Sequence, residues 1–178
     1  ASDVYKRQRL EQGTPNIEFQ PVVIGELCEQ LRDELETIRD ETVITVINPY
    51  PTLEVEAEER YLHRVLQNLV TNALRYAKAR IVMRVEESED LVVIHVDDDG
   101  PGIPEHERER VFKPFARLDK SRHRASGGYG LGLSIVKRIV DWHGGEIRVE
   151  ESPEGGARFT VSLPKSQQGQ HVLGRMSG

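Results

Sequence analysis

Apolar positions along the chain change period several times, and each change marks an element. Residues 57–77, AEERYLHRVLQNLVTNALRYA, place Leu62, Val65, Leu66, Leu69, Ala73 and Leu74 on one broad face, which predicts an amphipathic helix. Residues 25–40 repeat the pattern through Leu27, Leu31, Leu35 and Ile38. A third helix of about 13 residues follows the glycines of SGGYGLGLSIV and ends at HGG. Elsewhere the period is two or the run is short and β-branched: IEFQPVVI, TVITVI, TLEVE, RIVMRVEE, LVVIHVDDD, EIRVEES and ARFTVSLP all predict strands. NPYP, residues 88–90 and PEGG supply the turns between neighbouring runs, and PEHERERVF predicts a short charged helix opening on proline. The polar residues 1–16 predict a tail or the end of an upstream helix, residues 17–164 one domain, and residues 165–178, which lack periodicity, a second tail.

Helices and strands are mixed, and the later strands neighbour each other as hairpins rather than alternating with helices. This predicts a two-layer α/β sandwich, a mixed and mostly antiparallel sheet covered by helices on one face. A dinucleotide fold needs its glycines directly after a strand, whereas these follow a polar loop rich in arginine, and no GxxxxGK[ST] run is present. At 37% hydrophobic and 30% charged residues the chain suits one ordinary core. The net charge of −6 argues against a general nucleic-acid binder. The lone Cys28 rules out an internal disulfide and reads as core. No apolar run reaches the ~20 residues of a membrane helix, so the expected setting is cytoplasmic.

Three segments carry candidate chemistry. Strand alternation in LVVIHVDDDG puts Asp98 on the same face as Val92, Ile94 and Val96, so its carboxylate points inward and needs a donor, which an exocyclic purine amine would supply. Gly100 and Gly102 then allow a turn against which a ring can lie; a Ca²⁺ loop or a plain acidic turn would show the same residues. Asn68 and Asn72 lie four apart on the long helix, with Arg75 and Tyr76 on the next turn: hard amide oxygens for Mg²⁺, a phosphate partner and a stacking ring, or simply a face shown to water. Residues 127–132 hold four glycines in six positions before a helix start, the backbone a phosphate requires. Before them, Arg117, Lys120, Arg122 and Arg124 reverse the chain's sign locally and could close over an anion, with Phe112, Pro114 and Phe115 burying rings at the base of such a lid.

In chain order, NLVTNALRY, DDGPGI, VFKPFARLD, GGYGLGLSIV and GGARF resemble the N box, first glycine box, F box, second glycine box and final glycine element of the ATP-binding catalytic domain of two-component sensor histidine kinases. That family belongs to the superfamily of gyrase, heat-shock chaperones and MutL, and the resemblance covers residues 17–164. It implies the Bergerat ATP-binding fold, with ATP and Mg²⁺ as cofactors. Asn72 would hold the metal, with Asn68 and Arg75 at the phosphates and Tyr76 against the purine. Asp98 would accept from the adenine amine, and Gly100 and Gly102 would shape the base pocket. Gly128, Gly130 and Gly132 would shape the phosphate-side lid, with Phe115 and Arg117 also at the nucleotide and Ile103, Leu131 and Leu133 as apolar walls. Asn68, Arg75 and Arg117 are the implied catalytic residues. Ala157 stands where many relatives carry threonine.

The hydrolysing members of the superfamily place glutamate where this chain has Asn68. An amide cannot act as a general base, so transfer to another nucleophile fits better than hydrolysis. None of the six histidines has the H-[ED]-x-x-[TR]-P context of a phosphoacceptor. The resemblance therefore implies a fragment whose acceptor His sits on a dimerisation domain upstream, a response regulator as final partner, and a parent in the bacterial inner membrane. An anti-sigma-type serine kinase and a non-enzymatic ATP-binding module are the alternatives.

Overall fold

A computed structural model describes residues 15–38, 41–115 and 132–167. Among them the chain forms seven strands and three α-helices: β1 Gln20–Val23, α1 Ile24–Glu36, β2 Val43–Ile47, β3 Glu54–Ala57, α2 Glu59–Tyr76, β4 Arg80–Glu87, β5 Leu91–Asp98, α3 Gly132–Trp142, β6 Glu146–Glu151 and β7 Ala157–Pro164. Five strands make one sheet in the order β2-β4-β5-β7-β6, parallel between β2 and β4, which α2 joins as a crossover, and antiparallel elsewhere. The short β1 and β3 pair antiparallel in a sheet of their own. The alternation read from the sequence sorts the faces. Ile81, Met83, Val85, Val92, Ile94, Val96, Phe159, Val161 and Leu163 are buried in the helix-side core with Leu62, Leu66, Leu69, Val136 and Ile139. This is the sandwich expected from the pattern.

Several boundaries differ from the expectation. Helix α1 starts at Ile24 and ends at Glu36, which leaves Ile38 beyond it and 65% exposed rather than on the apolar face. PEHERERVF is two 3₁₀ turns, Glu105–Glu107 and Arg110–Phe112, because a run this charged has only Val111 and Phe112 to pack inward. Residues 165–167, read as the start of a tail, are held in place. Lys165 exchanges backbone bonds with Asp90 and Glu56, and Gln167 is buried, its amide N donating to the carbonyl of His143 at 2.7 Å. Cys28 is core as expected; burial pushes its thiol up to about 12, with the charge of Glu29 adding to the rise.

Helices α2 and α3 run antiparallel. The start of α2 meets the end of α3 through an edge contact of Tyr61 with Trp142 at 5.4 Å and a bond from the Glu58 amide to His143 Nε2 at 3.2 Å. Further along, Asn68 Nδ2 donates to the carbonyl of Gly132 at 3.3 Å. The helix bearing the paired asparagines is thereby fixed to the helix that follows the glycine-rich run.

Candidate nucleotide site

The site is organised around the end of β5. Asp98 is 2% exposed, and its Oδ1 accepts from the backbone N–H groups of Gly100, at 2.9 Å, and Ala157, at 3.2 Å. Among the described residues Oδ1 is held by these two amides and Oδ2 accepts no bond. Burial pushes the Asp98 carboxyl above its ordinary value; the two amides oppose the rise without cancelling it, and Asp99 and Asp97 add to it.

Asp99 does a different job. Its two oxygens accept from the amides of Lys78, Ala79 and Arg80, at 2.7 to 3.2 Å, and so tie the turn to the start of β4. Partial burial works against ionisation, but those amides prevail and hold the carboxyl below its ordinary range. Replacing Asp99 with Ala should cost about 0.5–1.5 kcal/mol, the net worth of hydrogen bonds to exposed amides that water can otherwise satisfy. Urea denaturation measures this directly; an unchanged midpoint would remove the tie from the account.

Two glycines are required by close approach. A Cβ on Gly100 would overlap the carbonyl of Tyr76 at the end of α2, and one on Gly156 would overlap Asp98 Oδ1 and the Gly100 amide. Gly102 has φ of 77° and faces the Gly156 carbonyl, so the first glycine turn and the turn before β7 interlock. A Cβ on Gly132 would meet nothing within 4 Å.

Helix α2 is the shared wall. The Tyr76 carbonyl touches the first glycine turn at one point and Asn68 reaches Gly132 at another. Between them Asn72 is half-buried, while Arg75 is exposed and forms no ion pair among the described residues. Ile103 and Leu133 pack partly buried against the core, and Arg108 Nε donates to the Ile103 carbonyl at 3.1 Å. Phe115 departs from the expectation: its ring is 68% exposed and its φ is 62°, so it buries nothing at the base of a lid. Phe112 does the anchoring, edge-on to Phe159 with centroids 6.1 Å apart. Arg117, Lys120, Arg122, Arg124, Gly128, Gly130 and Leu131 lie outside the described residues.

Sequence reading missed the roles of Asp99, Gly156 and the Ala157 amide. The doubled glycine in PEGGARF was the available signal for the second. No group of three or more His, Cys, Asp or Glu among the described residues could hold a metal ion. The amide oxygen of Asn72 is a neutral, hard donor of the kind Mg²⁺ accepts.

Residues 57–167 match the family of histidine kinase-, DNA gyrase B- and HSP90-like ATPases, and the chain belongs to that family. It is 46% identical over 103 residues to the sensor histidine kinase CpxA of Escherichia coli, covering 58% of this chain and 22% of CpxA. The catalytic domain of histidine kinase ThkA, in a nucleotide-free form, superposes with a TM-score of 0.73 at 32% identity, covering 83% of this chain and 96% of that one. ThkA in complex with the response regulator TrrA superposes with a TM-score of 0.73 at 29% identity, covering 92% of this chain and 47% of that one. The chain spans about a quarter of the length of the curated relatives it matches. It corresponds to their catalytic, ATP-binding domain.

Proposed function

We propose that this domain binds Mg²⁺-ATP between α2, the turn after β5 and the start of α3, and donates the γ-phosphoryl group to a histidine on a dimerisation domain of the same parent kinase. The observation that carries the reading is Asp98: a buried carboxylate with one oxygen held by two backbone amides and the other accepting no bond among the described residues. The adenine amino group is the donor it lacks. Tyr76 lies beside the base, Asn68 and Arg75 serve the phosphates, and Asn72 supplies a metal ligand; bound Mg²⁺ would neutralise phosphate charge. By the resemblance, Arg117 and the glycines of the second box would serve the phosphate side. The chain's own contribution is to position the nucleotide and exclude water. Asn68 cannot deprotonate a water, which favours transfer over hydrolysis.

A response regulator is the next acceptor, as the ThkA–TrrA complex suggests by analogy. No helix among the described residues is long and apolar enough to cross a membrane, and a cytoplasmic position below a bacterial inner-membrane receptor is the setting proposed. The relatives found are sensor kinases, which does not favour the serine-kinase or non-enzymatic readings.

With γ-labelled ATP and Mg²⁺, the chain alone should accumulate no phosphohistidine, and adding the dimerisation domain of the parent kinase should place label on that domain's histidine. Label on any of the six histidines of this chain would overturn the assignment of the acceptor. Tight ATP binding with no transfer to the added domain would leave a binding module.

A further inference from the structure

The face of the sheet away from the helices carries an ion network that no nucleotide would touch. Asp97, one residue before Asp98 and pointing the other way, is fully buried. Arg158 grips it in a fork, Nε to Oδ1 at 2.7 Å and Nη2 to Oδ2 at 2.9 Å, and Arg84 Nε reaches Oδ2 at 3.0 Å. Arg84 also extends Nη2 to Glu154 Oε1 at 2.8 Å. Glu154 sits in the turn that joins β6 to β7.

We infer that Arg84, Asp97, Arg158 and Glu154 are positioning residues for base recognition, acting through the sheet on Asp98. Both groups that face Asp98 from across the sheet are set by this network. Ala157, whose amide donates to Asp98 Oδ1, immediately precedes Arg158, and Arg158 is opposite Asp97 in the ladder. The fork therefore fixes the register that brings the Ala157 amide onto Oδ1 and leaves Oδ2 for the ligand. The Glu154 turn ends at Gly156, whose amide donates to the Asp98 carbonyl at 3.1 Å and where a Cβ would overlap Asp98 Oδ1. Arg84 holds that turn to β5 from behind.

The charges reinforce the geometry. A fully buried carboxylate is tolerated only while its partners remain, so losing one guanidinium obliges Asp97 to move toward water or toward its remaining partner. Either movement shifts the end of β5, and Asp98 with it. Arg84 lies three strand residues beyond Ile81, which pairs with Asp98 itself, so the disturbance has a short route through the ladder.

The inference rests on the ATP reading of the site, and one set of titrations separates the two. Wild type, Arg84→Met and Glu154→Gln are titrated with Mg²⁺-ATP, Mg²⁺-ITP and Mg²⁺-tripolyphosphate well below their melting temperatures. Arg84→Met should bind ATP about tenfold more weakly and lose most of the preference for ATP over ITP, with tripolyphosphate affinity unchanged. Glu154→Gln, which leaves the Asp97 pairs intact, should show a smaller loss of the same preference. A purely structural role would lower the melting temperature and leave the ATP/ITP ratio alone, and that result overturns the inference. If Arg84→Met does not fold, Glu154→Gln decides by the same ratio. Failure of wild type to bind ATP would instead overturn the reading of the site.

Discussion

Replacing Asp98 with Asn should weaken ATP binding about 10- to 100-fold, the loss of a charge-assisted hydrogen bond worth about 1.5–3 kcal/mol, while leaving the empty domain at least as stable as wild type. The two parts of this expectation come from the two oxygens. An asparagine can keep its carbonyl oxygen where Oδ1 lies, still accepting from the Gly100 and Ala157 amides. Its NH₂ then takes the place of Oδ2 and presents a donor to the adenine amine, itself a donor. A 6-oxo base offers an acceptor at the same position, so ITP should lose far less than ATP or gain outright. Stability moves the other way. The folded carboxyl titrates above its ordinary value because it is buried, so the stability it contributes is present at low pH and lost as pH rises through the folded value. At pH 7 the ionised group is a cost to the fold, and asparagine removes it. Calorimetric titration with ATP and ITP, together with thermal melts of the free proteins, reads both parts. Equal ATP affinity in the two proteins would remove Asp98 from the site.

Those features of the site that follow from period were legible in the sequence. Alternation in LVVIHVDDD is enough to turn Asp98 inward, and the three-to-four spacing of residues 59–76 is enough to align Asn68, Asn72 and Tyr76 along one helix. Features that depend on what crosses over from a distant segment were not. Nothing local to Asp98 says that the Ala157 amide will arrive 59 residues later and occupy one of its oxygens. Asp97 illustrates the same limit from the other face: alternation assigns it outward, toward water, yet two arginines from β4 and β7 enclose it completely. The error at Phe115 is of a further kind. Aromatic residues near a glycine-rich segment suggest burial, but Phe112 takes the place against Phe159, and Phe115, with a positive φ, is exposed. At Ile38 the helical period continues on paper past the point where α1 has ended. Gln167 is polar and follows no period, yet it closes a bond to the carbonyl of His143 just past the end of α3.

That end of α3 carries the second large expectation. Replacing His143 with Phe should cost about 1–2 kcal/mol at pH 7.5, the penalty for a partly buried amide left without its acceptor, and should flatten the dependence of stability on pH below about 6.5. His143 is 1% exposed and its two nitrogens have opposite duties: Nδ1 lies 2.8 Å from the Ile139 carbonyl and must donate, while Nε2 lies 3.2 Å from the Glu58 N–H and must accept. Only the neutral ring meets both demands. Phenylalanine keeps the edge contact with Phe19, and the Ile139 carbonyl keeps the backbone N–H of residue 143, so the Glu58 amide alone loses its partner. Burial lowers the His143 pKa; the Ile139 carbonyl and the Glu58 charge oppose this without reversing it. The unfolded chain therefore binds the proton first. As pH falls through about 6.5 the wild-type fold loses stability, by up to about 1.4 kcal/mol per pH unit, until the folded ring titrates as well. Of the charged groups around the ring, Glu58 is paired with Arg60, Glu56 holds the Gln167 amide, and Lys137 and Asp141 pair on α3. All of these are present in both proteins, so the difference between the two stability curves isolates the imidazole. Urea denaturation at pH 7.5 and 5.5 measures it. Curves that remain parallel across that interval would show that His143 does not join α2 to α3 as a neutral ring.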